Sequence, residues 1–272
     1  MILLYGLLQV LLSPLWVPWM WLRVRRRGGA MNWAERYGNY AFTLDRTKAR
    51  LWFHAVSVGE VIASKPILEA VRRERPDVEI LLTVTTTSGH QVAEEQLGEL
   101  VDHIAYVPID IGRFVLAALT RVRPHVVAIM ETELWPNLLY YSHQFRARTV
   151  LVNGRISDRS FGRSQKFGFF YRAVLQYLDE CLMQTTQDAE RIRALGGSQV
   201  RVMGNSKFDQ AAPTGRSRSE WRAEFGWTEA DFVIVVGSTR SADEERILLD
   251  ALAPLRAEVK VVFAPRHLER SD

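Results

Sequence analysis

Along this chain, short polar stretches with glycine recur directly after apolar runs. Ser57-Val58-Gly59-Glu60 is the first, and Thr85-Thr86-Thr87-Ser88-Gly89 the next. Glu131-Thr132-Glu133-Leu134-Trp135-Pro136-Asn137 puts two carboxylates beside a Trp-Pro turn. Asn153-Gly154-Arg155-Ile156-Ser157 and Gly204-Asn205-Ser206-Lys207-Phe208-Asp209 add amide and cationic groups. Gly237-Ser238-Thr239 and Pro265-Arg266-His267 come last. Carboxylates of this kind suit proton transfer, and cations or backbone N–H groups suit a leaving phosphate. Each stretch also has a plainer reading. Gly59 and Glu60 suit the first turn of a helix, where acidic residues are favoured. Thr87 or Ser88 suits an N-cap. Glu131 and Glu133 are either capping or surface carboxylates, or groups that orient a ligand or the Glu60 loop. Lys207 is either solvated or functional, and His54, inside an apolar run, reads as a satisfied core histidine.

The elements that must position these residues follow from periodicity. Apolar runs predict strands at 51–56, 78–84, 103–107, 125–130, 148–152, 180–184 and 199–203. Amphipathic stretches predict helices at 60–73, 88–98, 112–121, 135–144, 160–178 and 187–195, with a short helix around Trp33 to Tyr37. Runs such as Val126-Val127-Ala128-Ile129-Met130 suit strands buried on both faces. The alternation predicts an α/β fold, a doubly wound parallel sheet whose ligands bind beyond the carboxyl ends of its strands. The polar stretches fall at that edge. Residues 211–230, with Pro213, Gly215 and Gly226, read as an interdomain connection. A second α/β unit begins at 231, with strand 232–236, helix 241–253 and strand 259–263. One strand–helix–strand unit cannot cover its own sheet, so the natural protein is expected to continue beyond Asp272.

Met1 to Leu22 contains no charged side chain, and Trp16, Trp19 and Trp21 crowd its far end before Arg23-Val24-Arg25-Arg26-Arg27. A helix of that length reaches roughly 33 Å, about a bilayer core. Charge after the apolar run, rather than before it, marks an anchor and not a secretory signal. It predicts that residues after Arg27 lie on the cytoplasmic side. Pro14 and Pro18 allow a kinked or half-inserted helix. Residues 23–50 read as a basic linker. In 155–172, Arg155, Arg159, Arg163, Lys166 and Arg172 interleave with Phe161, Phe167, Phe169, Phe170 and Tyr171. That helix either rests on an anionic membrane surface or is a core helix with a solvated basic face.

The net charge of +4 in 272 residues is a modest excess that does not choose among anionic partners, and 47% apolar residues exclude global disorder. Cys181 is the single cysteine, so no intramolecular disulfide forms. His90, His103, His125 and His143 lack metal-ligand spacing, so no structural zinc is expected. No Walker A or G-x-G-x-x-G sequence is present, Ser57 lacks a G-x-S-x-G elbow, and no nucleic-acid module accompanies the charge.

Taken in order, His54-Ala55-Val56-Ser57-Val58-Gly59-Glu60 and the later stretches quoted above resemble the 3-deoxy-D-manno-octulosonic acid (Kdo) transferase family. The resemblance implies a GT-B architecture: two Rossmann-like domains facing a cleft, with residues 51–210 as the acceptor domain and 231–272 opening the nucleotide-sugar domain. It implies CMP-Kdo as donor substrate, a lipid A precursor (lipid IVA) as acceptor, inversion at the anomeric carbon, no metal, no cofactor, and work at the cell inner membrane in lipopolysaccharide synthesis. Glu60 matches the family's general base, with Glu131 and Glu133 beside it. Lys207, Ser238, Thr239, Arg266 and His267 match donor-side positions, and Ser57, Gly59, Thr87, Ser88, Asn153 and Arg155 acceptor-side positions. Ser206 stands where the family usually has leucine, and Leu268 where it usually has proline. A glutamate at a helix N-terminus is expected to be more acidic than usual unless burial offsets the dipole. Two other readings fit the same features: a GT-B transferase of another nucleotide sugar, and a membrane-tethered lipid-binding protein without catalysis.

Overall fold

A computed structural model describes residues 2–26, 31–131, 133–210, 215–255 and 258–266. Thr132, Pro213, His267 and Leu268, named above, lie outside the described residues. The chain divides into two compact units, 1–211 and 212–272.

Unit 1 is built on a seven-stranded parallel sheet. Its strands are β1 (Arg50–Ala55), β2 (Glu79–Val84), β3 (His103–Tyr106), β4 (Val126–Met130), β5 (Arg148–Gly154), β6 (Glu180–Met183) and β7 (Val200–Val202), in the order β3-β2-β1-β4-β5-β6-β7. Its helices are α1 (Ile2–Arg26), α2 (Trp33–Arg36), α3 (Val58–Glu74), α4 (Thr87–Leu97), α5 (Gly112–Val122), α6 (Pro136–Gln144), α7 (Asp158–Lys166), α8 (Gly168–Leu175) and α9 (Thr186–Ala194).

Side chains alternate across each strand, so the sheet has two cores. Trp52, Leu81, Val127, Ile129 and Leu151 face the core completed by α5, α6, α8 and α9. Leu51, Phe53, Ile80, Leu82 and Val84 face the one completed by α3 and α4. This is the doubly wound fold that alternation predicts. The strand order reverses between β1 and β4, and a crevice for ligands opens at such a point. Glu60 follows β1 there, and Glu131 and Glu133 follow β4.

Two expectations are corrected. The stretch 160–178 is not one helix. Phe167, at φ −112° and ψ 29°, breaks it into α7 and α8 just before Gly168. Phe161, Phe170 and Tyr171 pack on the core, while Phe167 and Phe169 stay exposed. Nor is 31–50 a free linker. Met31, Arg36, Tyr40 and Leu44 are buried. Glu35 accepts the Tyr106 N–H at 2.7 Å, and the Arg36 guanidinium donates to the Met31 and Thr85 carbonyls and lies 4.5 Å over the Tyr106 ring. Basic residues here are structural because their protons find carbonyls.

Helix α1 is long and apolar enough over Leu4–Arg26 to cross a membrane, which makes it a candidate anchor. Its outer face exposes Leu4, Leu7, Leu11 and Leu15, and Leu8 and Leu12 are about half exposed. Its other face lies on unit 1. Ile2 joins the core, the Tyr5 ring stands 6.2 Å from that of Phe170, and the Tyr5 hydroxyl accepts from Gln9 Nε2 at 3.0 Å on the side of Asp110. Pro14 cannot donate to Val10, four residues back, and the Ser13 hydroxyl takes that carbonyl instead at 2.7 Å.

Unit 2 contains α10 (Arg218–Glu224), β8 (Phe232–Gly237), α11 (Ala242–Leu252) and β9 (Val259–Ala264), with β8 and β9 pairing in parallel. No side chain of α11 is buried, and Phe232 and Val235 are two-thirds exposed.

Candidate functional site

Glu60 is the third residue of α3, after the N-cap Ser57. Its carboxylate turns back over the helix start. One oxygen accepts the Val56 N–H at 2.8 Å, the other the Ser57 hydroxyl at 3.2 Å. The residue is 7% exposed. Burial dominates its titration and pushes its pKa up to about 7, with the negative charges of Glu131 and Glu133 acting the same way. The bonds from Val56 and Ser57 pull back only partly. The acidity expected of a helix N-terminus is therefore outweighed. Gly59 sits exposed in the same turn, and no atom stands within 4 Å of where its side chain would project.

The two carboxylates after β4 differ. Glu131 adopts φ 53°, a left-handed conformation uncommon outside glycine, and its N–H bonds the Val152 carbonyl at 2.9 Å. Its side chain meets Lys207 Nζ at 3.4 Å and Arg155 Nε at 4.0 Å. Glu133 keeps its proton to higher pH than usual because of burial and then the Glu131 charge. Three carboxylates and two cations thus converge at the carboxyl end of the sheet, all within unit 1.

Lys207 reaches this place through a 3-10 turn, Ser206–Gln210. Ser206 is buried. Its hydroxyl donates to the Ala63 carbonyl of α3 at 2.8 Å, and its N–H donates to Asn153 Oδ1 at 3.2 Å. A serine serves where leucine is usual because the Ala63 carbonyl takes up its hydroxyl. Asn153 is fully buried at φ 54°, and its Nδ2 has no partner. Asn153 is thus a scaffold residue, while Arg155, one strand end further, is exposed.

At the start of α4 the N-cap is Thr86, not Thr87 or Ser88. The Thr86 hydroxyl accepts the Gly89 N–H at 3.0 Å and lies 3.5 Å from the Val56 carbonyl. Thr87 and Ser88 occupy the first turn, where they leave backbone bonding to Thr86.

In unit 2, the Thr239 hydroxyl is taken up by Glu245 at 2.6 Å, and its carbonyl accepts the Arg266 N–H at 3.0 Å. Ser238 has φ 63°, and its N–H bonds the Ala264 carbonyl at 2.7 Å.

Sequence reasoning missed a second set of residues beside the site. His54 is only half satisfied. Nδ1 lies 3.0 Å from the Thr83 carbonyl, whereas the buried Nε2 has no partner. Its pKa falls to about 4 through burial. The Trp135 ring stands edge-on to it at 5.4 Å, and Trp135 Nε1 and Thr85 Oγ1 are also buried without partners. Asp110 is buried and accepts the Asn137 and Leu138 N–H groups at the start of α6 at 3.1 and 2.9 Å. Burial raises its pKa to about 6. Tyr5, Leu8, Gln9, Leu12 and Trp16 of α1 form one side of a half-open groove of about 430 Å³ over Thr85, Val107–Asp110 and Trp135. Orphaned polar groups were the signal, and they are invisible in a one-dimensional pattern.

Comparison with known proteins agrees with this geometry. The family model described as 3-deoxy-D-manno-octulosonic-acid transferase (kdotransferase) matches residues 31–210. A 3-deoxy-D-manno-octulosonic acid transferase of Bordetella pertussis is 31% identical over 278 residues, covering 96% of this chain and 63% of the relative. A bifunctional glycosyltransferase/methyltransferase of Fusobacterium nucleatum is 32% identical over 228 residues, covering 81% of this chain and 34% of the relative. The chain therefore spans between a third and two thirds of the length of these relatives. Among solved structures, UDP-GlcNAc 2-epimerase from Neisseria meningitidis bound to UDP-GlcNAc superposes with TM-score 0.56 at 11% identity, over 80% of this chain and 66% of that one. Anabaena HepE in complex with UDP and glucose gives 0.52 at 14%, over 79% and 60%. These likenesses show the fold, an α/β architecture of GT-B type. From the matched domain and the sequence identity together, the chain belongs to the 3-deoxy-D-manno-octulosonic acid transferase family.

Proposed function

We propose that this chain carries the acceptor side of an inverting, metal-independent transfer of Kdo from CMP-Kdo to a lipid A precursor. The work is done on the cytoplasmic face of the inner membrane, with α1 as anchor and no cofactor. The observation that supports this most is the Glu60 carboxylate, buried at the switch point beside two further carboxylates and poised near neutral pH. A base with a pKa near the working pH is the efficient one. Glu60 takes the proton of the acceptor hydroxyl as that oxygen attacks the anomeric carbon. The bond to the CMP phosphate breaks, and its electron pair leaves with the phosphate. Glu131, held by Lys207 and Arg155, orients the Glu60 loop and the acceptor, with Glu133 beside it. Ser57, Gly59, Thr87 and Ser88 line the approach of the sugar. Lys207, Ser238, Thr239, Arg266 and His267 belong to the donor side, where cations and N–H groups meet the leaving phosphate. The exposed Phe167 and Phe169, with the basic residues of α7, suit contact with an anionic lipid surface.

The test joins this chain to the C-terminal remainder of the Bordetella relative, supplies CMP-Kdo and the lipid acceptor in membranes, and weighs the product by mass spectrometry. Acceptor heavier by Kdo, lost in Glu60→Gln, supports the proposal. Undiminished product from Glu60→Gln removes Glu60 from the base role, and product only with another nucleotide sugar replaces the donor.

A further inference from the structure

The cavity under α1 is unlike an ordinary packing gap. Its volume of about 430 Å³ lies in the range of small-molecule pockets, roughly 300–1,000 Å³. Leu8, Leu12 and Trp16 form one wall, and Val107, Pro108 and Ile109 another. Thr85 and Trp135 also line it, and each carries a buried side-chain donor with no partner. Native structures rarely leave such donors unmade, because each costs about 1–3 kcal/mol. The nearby polar groups are already engaged: Arg36 with the Met31 and Thr85 carbonyls, Asp110 with α6, and Gln9 with the Tyr5 hydroxyl at 3.0 Å. What remains is a half-open apolar chamber with two buried, unpartnered donors on residues of its lining.

Its position is the second observation. Thr85 precedes Thr86, whose hydroxyl lies against the Val56 carbonyl, and Val56 holds Glu60 through its N–H. Trp135 packs edge-on to His54 of β1, and two residues before it stands Glu133. The chamber therefore shares a wall with the Glu60 loop. Its roof is the one helix, among the described residues, long and apolar enough to lie in a bilayer.

We propose that this chamber holds one hydrocarbon chain of the acylated acceptor, and that the carbonyl joining chain to sugar accepts hydrogen bonds from Thr85 Oγ1 and Trp135 Nε1. A chain seated there leaves its sugar headgroup at the adjacent Glu60 loop, so the acyl group serves as a ruler that sets which hydroxyl is reached. This rests on the reading of the acceptor as a lipid.

The experiment is photolabelling of the whole chain in nanodiscs, with an acylated glucosamine acceptor whose chain carries a diazirine. The labelled peptides are mapped by mass spectrometry. Label on Leu8, Leu12 and Trp16 and on 107–110 is expected. Leu12→Trp should cut it several-fold, while Leu11→Trp, on the outward face, should not. Thr85→Val should weaken acceptor binding by roughly three- to tenfold, the worth of one hydrogen bond. Label confined to the outward leucines overturns the proposal. Equal cavity labelling by phosphatidylglycerol bearing the same chain assigns the chamber to bulk lipid and overturns the acceptor assignment. Sugar transfer in the Bordetella fusion without cavity labelling sinks the chamber alone, and cavity labelling without sugar transfer sinks the transferase reading alone.

Discussion

Replacing Glu60 by glutamine should make this protein more stable, and the gain should depend on pH. Glu60 holds its proton to about pH 7 in the folded chain, against an ordinary 4.5. Between those values the unfolded chain has already lost the proton that the folded chain keeps. Its stabilising share is thus full below pH 4.5 and lost as pH rises through 7. Across that interval, at about 1.4 kcal/mol per pH unit, the loss amounts to about 3 kcal/mol. Glutamine stays neutral, can still accept the Val56 N–H, and fills the same space. For a unit of this size 1 kcal/mol moves Tm by roughly 2–4 °C, so Glu60→Gln should melt ~6–12 °C above the parent at pH 8. At pH 4 the two should coincide. Near-UV circular dichroism melts of the whole chain in one detergent, from pH 4 to 8, read this directly. A Tm difference that stays constant with pH would refute the argument, since it would mean that the charge of Glu60 is not what burial makes expensive. A stabilised but inactive Glu60→Gln fusion would show the same carboxylate sacrificing stability for chemistry.

Other perturbations separate the neighbours. His54→Gln should flatten the acid limb of the stability curve. The His54 pKa is depressed to about 4, so its share is present above 6.5 and lost as pH falls toward 4; urea melts at pH 4 and 7 check this. Ser206→Ala should cost about 1 kcal/mol in urea unfolding, because it strips a buried hydroxyl from the Ala63 carbonyl. Lys207→Met should change stability by under ~0.5 kcal/mol, since its ion pair is part-exposed. It should still slow sugar transfer in the fusion, and unchanged kinetics would remove Lys207 from the donor side. Tyr5→Phe should remove the hydroxyl on the side of Asp110, read as faster hydrogen exchange at α6 residues Asn137 and Leu138.

Much of unit 1 could be read from residues alone. Its inner strands β1, β2 and β4 are apolar, buried on both faces and separated by helices, and a period of that kind survives in one dimension. The ordered polar stretches marked the sheet edge, since chemistry-bearing residues follow strand ends in such folds. What escaped had no local signature. The break at Phe167 depends on a backbone torsion, and Gly168 alone did not announce it. The cap at Thr86 rather than Thr87 is a shift of one residue among three identical threonines. Asp110 sits in an unremarked Pro-Ile-Asp-Ile run, and its neighbour Tyr5 is far away in the chain. Residues 31–50 looked like a linker because arginine reads as solvated until the carbonyls that receive its protons are seen.

The packing of Ile2 and Tyr5 against the rest of unit 1 changes what kind of part α1 is. A tether that merely holds a protein at a surface is interchangeable, and any hydrophobic helix of the right length can replace it. Here a substitute must also supply a ring at position 5, the core side chain of Ile2 and a wall of matching shape at Leu8, Leu12 and Trp16. Cutting the helix away uncovers the core at Ile2 and the surface at Val107, Pro108 and Ile109. The first helix is subject to two constraints at once, that of an exposed apolar face on one side and that of packing against unit 1 on the other.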